Sequence, residues 1–339
     1  MTDLNNLPRI SLAHLPTPVE ELPRLARQLG GPRLLVKRDD LTGLAGGGNK
    51  ARKLEFLVAD ALAQGADILV TAGAPQSNHC RQTAAAAARV GLDCVLVLGG
   101  EPPAGSLAGN LLLDTLLGAR IYWTGPHRRG EELARVADEL RAAGRRPCVI
   151  PYGGSNALGA SAYVWAMQEL AAQAPGTAEP QLGPSTLAAI DRIVIASSSG
   201  ATQAGMVVGA RGAGYRGQII GIGIDKGEAG DEPYPLRLAR LANQTAALLD
   251  MRPTFAPDDF VVNQDYLGGG YGVVGDLERE AIHMAARCEG LLLDPVYTGR
   301  AMGGLIDMVR RQVIAPDETV LFWHTGGLPA LFAYADALV

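Results

Sequence analysis

The chain reads as an α/β protein built from two open, mainly parallel, doubly wound sheets flanked by helices. Three observations predict this. Segments such as ADILVTAG, DCVLVLGG and RIVIASSSG are continuously apolar instead of alternating, as strands covered on both faces must be. Helical segments separate them at short intervals, the pattern of βα units. The alternation also restarts after AAQAPGTAEPQLGPSTLAA, Ala171 to Ala189, a stretch of small residues and prolines that reads as an exposed connection.

In chain order, Pro16, Thr17 and Pro18 make an extended opening, and VEELPRLARQLG reads as a short helix leading to the strand LLVKRDD, Leu34 to Asp40. The glycine turn and helix start GGGNKARKLEF, Gly46 to Phe56, come next. Beyond them lie the strand ADILVTAG, the polar turn and alanine-rich helix APQSNHCRQTAAAAARV, and the strand DCVLVLGG. A helix near NLLLDTLLG, a strand at ARIYW, a helix at GEELARVADELRAAG and a strand at PCVIPYGG complete a βα series predicted to form the smaller domain. The second half supplies the strand RIVIASSSG, the helix ATQAGMVVGARGAG, the strand QIIGIGI and a helix through PLRLARLANQTAALL. The irregular YLGGGYGVVG, the helix EREAIHMAARCEG, a loop at DPVYTGRAMGG, and the strand TVLFWHTGG with a closing helix end the chain. No fixed-period repeat is present, so a solenoid is excluded.

Composition narrows the functions. A chain of 339 residues is long enough for two ordinary domains, each with its own core. Its 47% hydrophobic and 19% charged residues describe a folded globular protein, and mean hydropathy is +0.10. Net charge is −5 with acids and bases interspersed, leaving no basic face for nucleic acid or anionic lipid. Cys80, Cys94, Cys148 and Cys288 are scattered without a CxxC pair and read as reduced cytoplasmic thiols. The histidines lack metal-site spacing, so no metal is expected. The opening residues lack the apolar run of a signal peptide, and nothing later reaches membrane-spanning length.

In folds of this class ligands bind beyond the carboxyl ends of the strands, so the polar turns carry the chemistry. Lys50, at the end of the glycine turn, is the candidate reactive amine. A lysine becomes nucleophilic where burial or a cationic neighbour removes its charge, and Arg52 and Lys53 supply local positive charge. Asn49 is expected to cap the helix. SSSGATQAG, Ser197 to Gly205, follows a strand and opens a helix, which makes it a phosphate cradle of backbone N–H groups and the Thr202 hydroxyl. In QSNHCRQTA, Ser77 and Asn78 either cap a helix or, beside an active lysine, shuttle a proton and hydrogen-bond a phenolic oxygen. GGSN, Gly153 to Asn156, is a third such turn. Tyr271 and Tyr297 sit in loops where an aromatic can lie against a planar ring or act as an acid or base. Thr325 offers a hydroxyl at a strand end, or a cap for the last helix. One lysine, one phosphate cradle and several groups suited to a hydroxypyridine match pyridoxal phosphate. A nucleotide-binding regulatory module using the SSSGAT turn is the alternative from another class.

The motifs GGNKxRKLEF, QSNHxRQTA and DPVYTG together resemble the fold-type II pyridoxal phosphate enzymes, tryptophan synthase β-like in fold. The similarity is to the group containing D-cysteine desulfhydrase and 1-aminocyclopropane-1-carboxylate deaminase, from the TP of the opening segment to HTGGLPALF. The resemblance implies Lys50 as the Schiff-base lysine and Asn78 as partner of the ring hydroxyl. It implies Ser199, Gly200, Ala201 and Thr202 around the phosphate and Thr325 at the pyridine nitrogen. Ser77, Asn78, His79, Tyr271 and Tyr297 would contact substrate, with Ser77 in proton transfer and both tyrosines in catalysis. It further implies a homodimer, and a small domain (57–165) inserted into a large cofactor domain (1–56 and 166–339). Deaminases carry a glutamate after the DPVY tyrosine, an apolar residue in place of the HTGG threonine, and SNQ and GCSD turns. This chain has Thr298, Thr325, His79 and Ser155-Asn156. These departures favour α,β-elimination from D-cysteine over cyclopropane opening, with L-cysteate sulfo-lyase built on nearly the same motifs.

Overall fold

The computed structural model describes residues 7–173, 186–225, 231–252 and 254–339. Residues 174–185 of the expected connection lie outside them. Among the described residues, β1 (Val19–Glu21), β2 (Arg33–Lys37), β7 (Arg192–Ser197), β8 (Gln218–Gly223), β9 (Val261–Asn263) and β10 (Thr319–Trp323) form one sheet in the order β1-β2-β10-β7-β8-β9. β3 (Ile68–Gly73), β4 (Asp93–Leu98), β5 (Arg120–Trp123) and β6 (Pro147–Val149) form the other, in the order β5-β4-β3-β6. All pairings are parallel except β1 with β2.

The helices are α1 (Pro23–Leu29), α2 (Lys50–Ala63), α3 (Asn78–Val90), α4 (Gly109–Leu116), α5 (Leu133–Ala142), α6 (Ala157–Ala172), α7 (Ala201–Gly212), α8 (Tyr234–Leu248), α9 (Asp276–Glu289), α10 (Thr298–Arg310), α11 (Leu328–Leu331) and α12 (Ala335–Leu338). None is long and apolar enough to cross a membrane. Side chains alternate across the larger sheet as the pleat requires. Leu321 and Trp323 of β10 join the core under α6, α7 and α8, while Val320 and Phe322 join the core under α1, α9 and α10. The smaller sheet likewise packs α2 and α3 on one face, through Leu54, Leu57, Leu69 and Leu96, and α5 on the other, through Val70, Val95 and Val136. Residues 56–57 and 165–166, where the sequence places the domain borders, fall inside α2 and α6.

The structure corrects several element assignments. Val19–Glu21 is an edge strand paired with β2, and Pro23 at the first helical position starts α1. The strand LLVKRDD ends at Lys37, and Asp39–Leu41 is a 3₁₀ turn. The helix α6 and the strand β9 were not expected. DPVYTGRAMGG is a loop only as far as Tyr297, because α10 begins at Thr298. Its glycines read as loop signals but serve close packing: a Cβ at Gly303 would lie 2.3 Å from Leu277 Cδ2 of α9.

Candidate active site

The turns following β3, β6, β7 and β10 converge on a cleft, and Lys50 lines it. The glycine turn reaches this position because Gly47 has φ +72° and passes 1.9 Å, measured from a would-be Cβ, from the Asp40 carbonyl oxygen. No side chain fits there. Lys50, half-buried, is the first residue of α2 and donates from Nζ to the Gly153 carbonyl oxygen at 3.0 Å. Burial brings its pKa down to about 8. Lys53, fully buried, donates to the same carbonyl at 3.3 Å. Burial, with the Lys50 ammonium beside it, pushes Lys53 well below the ordinary lysine range.

Two expectations about this turn are corrected. Arg52 lends no charge to Lys50, because it lies on the other side of α2. There it binds Asp39 through Nη2 at 2.8 Å and Glu169 through Nη1 at 2.9 Å. Asn49 makes no side-chain cap; its Nδ2 donates to Thr202 Oγ1 at 3.2 Å, tying the lysine turn to the start of α7.

The Ser198–Thr202 turn lines the same cleft, with Gly200 at φ +106° and no acidic residue in the first turn of α7. The free N–H groups of a helix start and its dipole favour an anion there. Ser155 donates to Ser199 Oγ at 2.7 Å, so the third glycine turn braces the cradle. Ser77 caps α3, its Oγ accepting from the Cys80 N–H at 3.2 Å, and still lines the cleft beside Asn78. Capping and facing the cleft are therefore compatible. His79 also reaches the wall, but its Nε2 lies 2.9 Å from Thr71 Oγ1. Thr71 gives its own hydrogen to the Ile150 carbonyl oxygen, so His79 Nε2 is the donor of that pair.

Thr325 lines the floor, and its carbonyl oxygen accepts from the Asn49 N–H at 2.9 Å. Tyr297 lines the cleft, while Tyr271 stands behind it with the two hydroxyl oxygens 2.8 Å apart and the rings edge to face. Burial pushes both phenols well above their usual pKa, and the shared hydrogen bond raises Tyr297 further while partly offsetting the rise of Tyr271. Both are protonated at neutral pH. Thr298 faces away: it is fully buried and donates to Asp294 Oδ1 at 2.8 Å. Asp294 also accepts the Val296, Tyr297 and Thr298 N–H groups, each at 2.9 Å, and so shapes the loop that presents Tyr297. The sequence reading missed Asp294, although an Asp opening a turn before a helix is a signal of this role. It also missed Tyr152, which lines the cleft, and the Gly153 carbonyl that both lysines share.

A buried amine, an anion cradle, a hydroxyl floor, and no Asp or Glu among the residues lining the cleft define a site for a phosphorylated, carbonyl-bearing heterocycle. The sequence matches the pyridoxal-phosphate dependent enzyme family over residues 10–326. The chain belongs to this family, with the fold-type II architecture, and pyridoxal phosphate is its cofactor. It is 43% identical to a D-cysteine desulfhydrase from Klebsiella pneumoniae (strain 342), the alignment covering 98% of each chain. A crystal structure described as that of an ACC deaminase homologue superposes with a TM-score of 0.86 at 37% identity, covering 99% of this chain and 96% of the other. An O-ureido-L-serine synthase shares the fold alone, at TM-score 0.61 and 16% identity over 95% of this chain and 92% of the other. The regulatory nucleotide module is set aside by the family.

The residues fit the cofactor. Lys50 would hold its carbonyl carbon, the Ser199–Thr202 turn its phosphate, Asn78 its phenolic oxygen, and Thr325 its ring nitrogen.

Proposed function

We propose that the protein is a carbon–sulfur lyase that converts D-cysteine and water to pyruvate, ammonia and hydrogen sulfide. The observation that carries this reading is the meeting of the Lys50 amine, the α7 cradle and the Thr325 hydroxyl in one cleft of a chain 43% identical to a D-cysteine desulfhydrase. When bound, pyridoxal phosphate supplies the electron sink that lets the Cα–H of an amino acid ionise and its β-substituent leave. Lys50 anchors the cofactor and, once freed by substrate, takes the Cα proton as a neutral amine. Its lowered pKa suits both tasks. Ser77 and Asn78 hold the substrate carboxylate at the start of α3, where the helix dipole favours an anion. Tyr297, protonated and backed by Tyr271, offers the departing thiolate a hydrogen bond from its hydroxyl. Thr325 offers the ring nitrogen a hydroxyl, which stabilises a protonated ring far less than a carboxylate would. With Thr325 as its partner, the bound ring would be less electron-withdrawing, which suits expulsion of a β-thiolate.

The match to an ACC deaminase homologue gives a second reading, cyclopropane ring opening. Thr298, held in the Asp294 turn where deaminases carry a glutamate, speaks against it. A panel of D-cysteine, L-cysteine, L-cysteate, D-serine and the cyclopropane amino acid, with pyruvate, sulfide and sulfite assayed separately, tests the choice. Sulfide release from D-cysteine should be fastest. Faster cyclopropane opening, or faster sulfite release from L-cysteate, overturns it.

We also propose a cytoplasmic homodimer whose 57–165 segment is a small domain inserted into a larger one. The exposed Leu116 of α4 and Phe332 beside α11 support self-association, and four unpaired cysteines suit a reducing compartment. Light scattering on the eluting protein checks the dimer.

A further inference from the structure

Arg81 of α3 is fully buried, and among the described residues no carboxylate lies within ion-pair distance of it. Its guanidinium spans three elements. Nη1 donates to Asn78 Oδ1 at 3.0 Å and to Asn110 Oδ1 of α4 at 2.7 Å, and Nη2 donates to the Gly47 carbonyl oxygen at 2.7 Å, in the turn before Lys50. A guanidinium has donors only, so the atom of Asn78 facing Arg81 must be the carbonyl oxygen. Asn110 repeats the constraint. Its oxygen is taken by Arg81, so its Nδ2 donates to Asn78 Oδ1 at 3.0 Å and to the Gln76 carbonyl oxygen at 2.8 Å. With two donors on its oxygen, Asn78 has one orientation, and its Nδ2, which makes no hydrogen bond among the described residues, is left for the cleft that Asn78 lines.

We propose that Arg81 and Asn110 are positioning residues that fix Asn78 as a donor toward the cofactor's phenolic oxygen, and that the charge of Arg81, passed through the polarised Asn78 amide, holds that oxygen anionic. This rests on the reading of the cleft as the pyridoxal phosphate site. The carboxylates nearest in the electrostatics of Arg81 are Asp114 of α4 and Asp294. Burial pushes Asp114 up to about 8, leaving it mostly protonated at neutral pH, and Asp294 is engaged by the Val296, Tyr297 and Thr298 N–H groups instead of by the guanidinium. Lys50 is the other basic group lining the cleft, and burial brings its amine down to about 8.

The test compares Asn110→Ala and Arg81→Met with the natural protein, each as apoprotein titrated with pyridoxal phosphate and as holoenzyme examined by absorption. Loss of charge-assisted hydrogen bonding should weaken the cofactor dissociation constant roughly 10-fold for Asn110→Ala and roughly 100-fold for Arg81→Met. In both, absorbance should shift from the visible band of the anionic phenolate toward the near-ultraviolet band of the neutral phenol, more in Arg81→Met. A merely structural role would lower melting temperature and leave the band ratio unchanged, which would overturn the inference. Should Arg81→Met fail to fold, the band ratio of Asn110→Ala decides alone. If the natural apoprotein takes up no pyridoxal phosphate, the reading of the site itself is wrong.

Discussion

The two sides of helix α2 carry the same kind of residue in opposite electrostatic states. On one side Arg52 and Lys37 are buried among carboxylates. Asp39 accepts from Arg52, from Tyr163 Oη at 2.6 Å, from Trp323 Nε1 at 2.8 Å and from Thr17 Oγ1 at 2.9 Å, and Lys37 meets Glu169 and Gln173. Burial opposes ionisation of Asp39, yet the adjacent Arg52 more than offsets it and holds the carboxyl below the usual range. On the other side Lys50, Lys53 and Arg81 have carbonyl and amide oxygens as partners and, among the described residues, no carboxylate. The paired side is complete without a ligand. The cleft side holds buried basic groups, of which Arg81 keeps its charge while burial drives Lys53 toward the neutral amine, and a phosphate and a phenolate would bring the anion that this side lacks.

Lys50→Ala breaks the cleft side most directly. Turnover should fall about 10⁴-fold, the upper range for a positioned acid/base group, with circular dichroism unchanged. Borohydride reduction and peptide mapping of the natural holoenzyme should label Lys50; label on Lys53 or Lys37 would refute the assignment. Arg52→Met breaks the paired side instead, leaving Asp39 buried without its cation. Denaturant titration should show a loss of ~3–5 kcal/mol, with turnover per folded molecule little changed. Ser77→Ala should lower turnover about 10²-fold, at a stability cost of about 1 kcal/mol for the lost cap, and the colour should persist.

The sign of the pH effect follows from the lowered pKa of Lys50. Only the neutral amine condenses with the cofactor, so its uptake by apoprotein should quicken about tenfold per pH unit up to about 8 and level off above. An unperturbed lysine would keep the rate climbing toward 10.5, and stopped-flow mixing separates the two. The smallest effect sharpens the contrast. Lys53→Met removes an uncompensated buried amine, so the apoprotein should gain about 1 kcal/mol, opposite in sign to Arg52→Met.

Much of this was legible in the chain because it is local. A glycine turn ending in Lys50, small polar residues between β7 and α7, and the serine that caps α3 each depend on neighbours a few residues away, and continuous apolar strands announce parallel sheets wherever they pair. What was missed was masked by signals with two meanings. The glycines of α10 look like a loop until Leu277 is packed against them, and β9 is three residues long, too short for a pattern.

By itself the sequence determined the two-sheet α/β plan, and it marked the glycine turn before Lys50 and the polar strand-to-helix turns that the structure brings round one cleft. Tertiary structure decided which cations are spent. Arg52 and Lys53 are neighbours in sequence, and only the packing of α2 between the sheets sends one to Asp39 and the other toward Gly153, 100 residues away. It likewise decided that Asn49 reaches Thr202 instead of capping its own helix, and that Arg81, through Asn110, turns Asn78 toward the cleft. Hydrogen bonds of fixed direction between distant segments leave no periodicity in the chain, so the sequence names the donors while the fold alone assigns their acceptors.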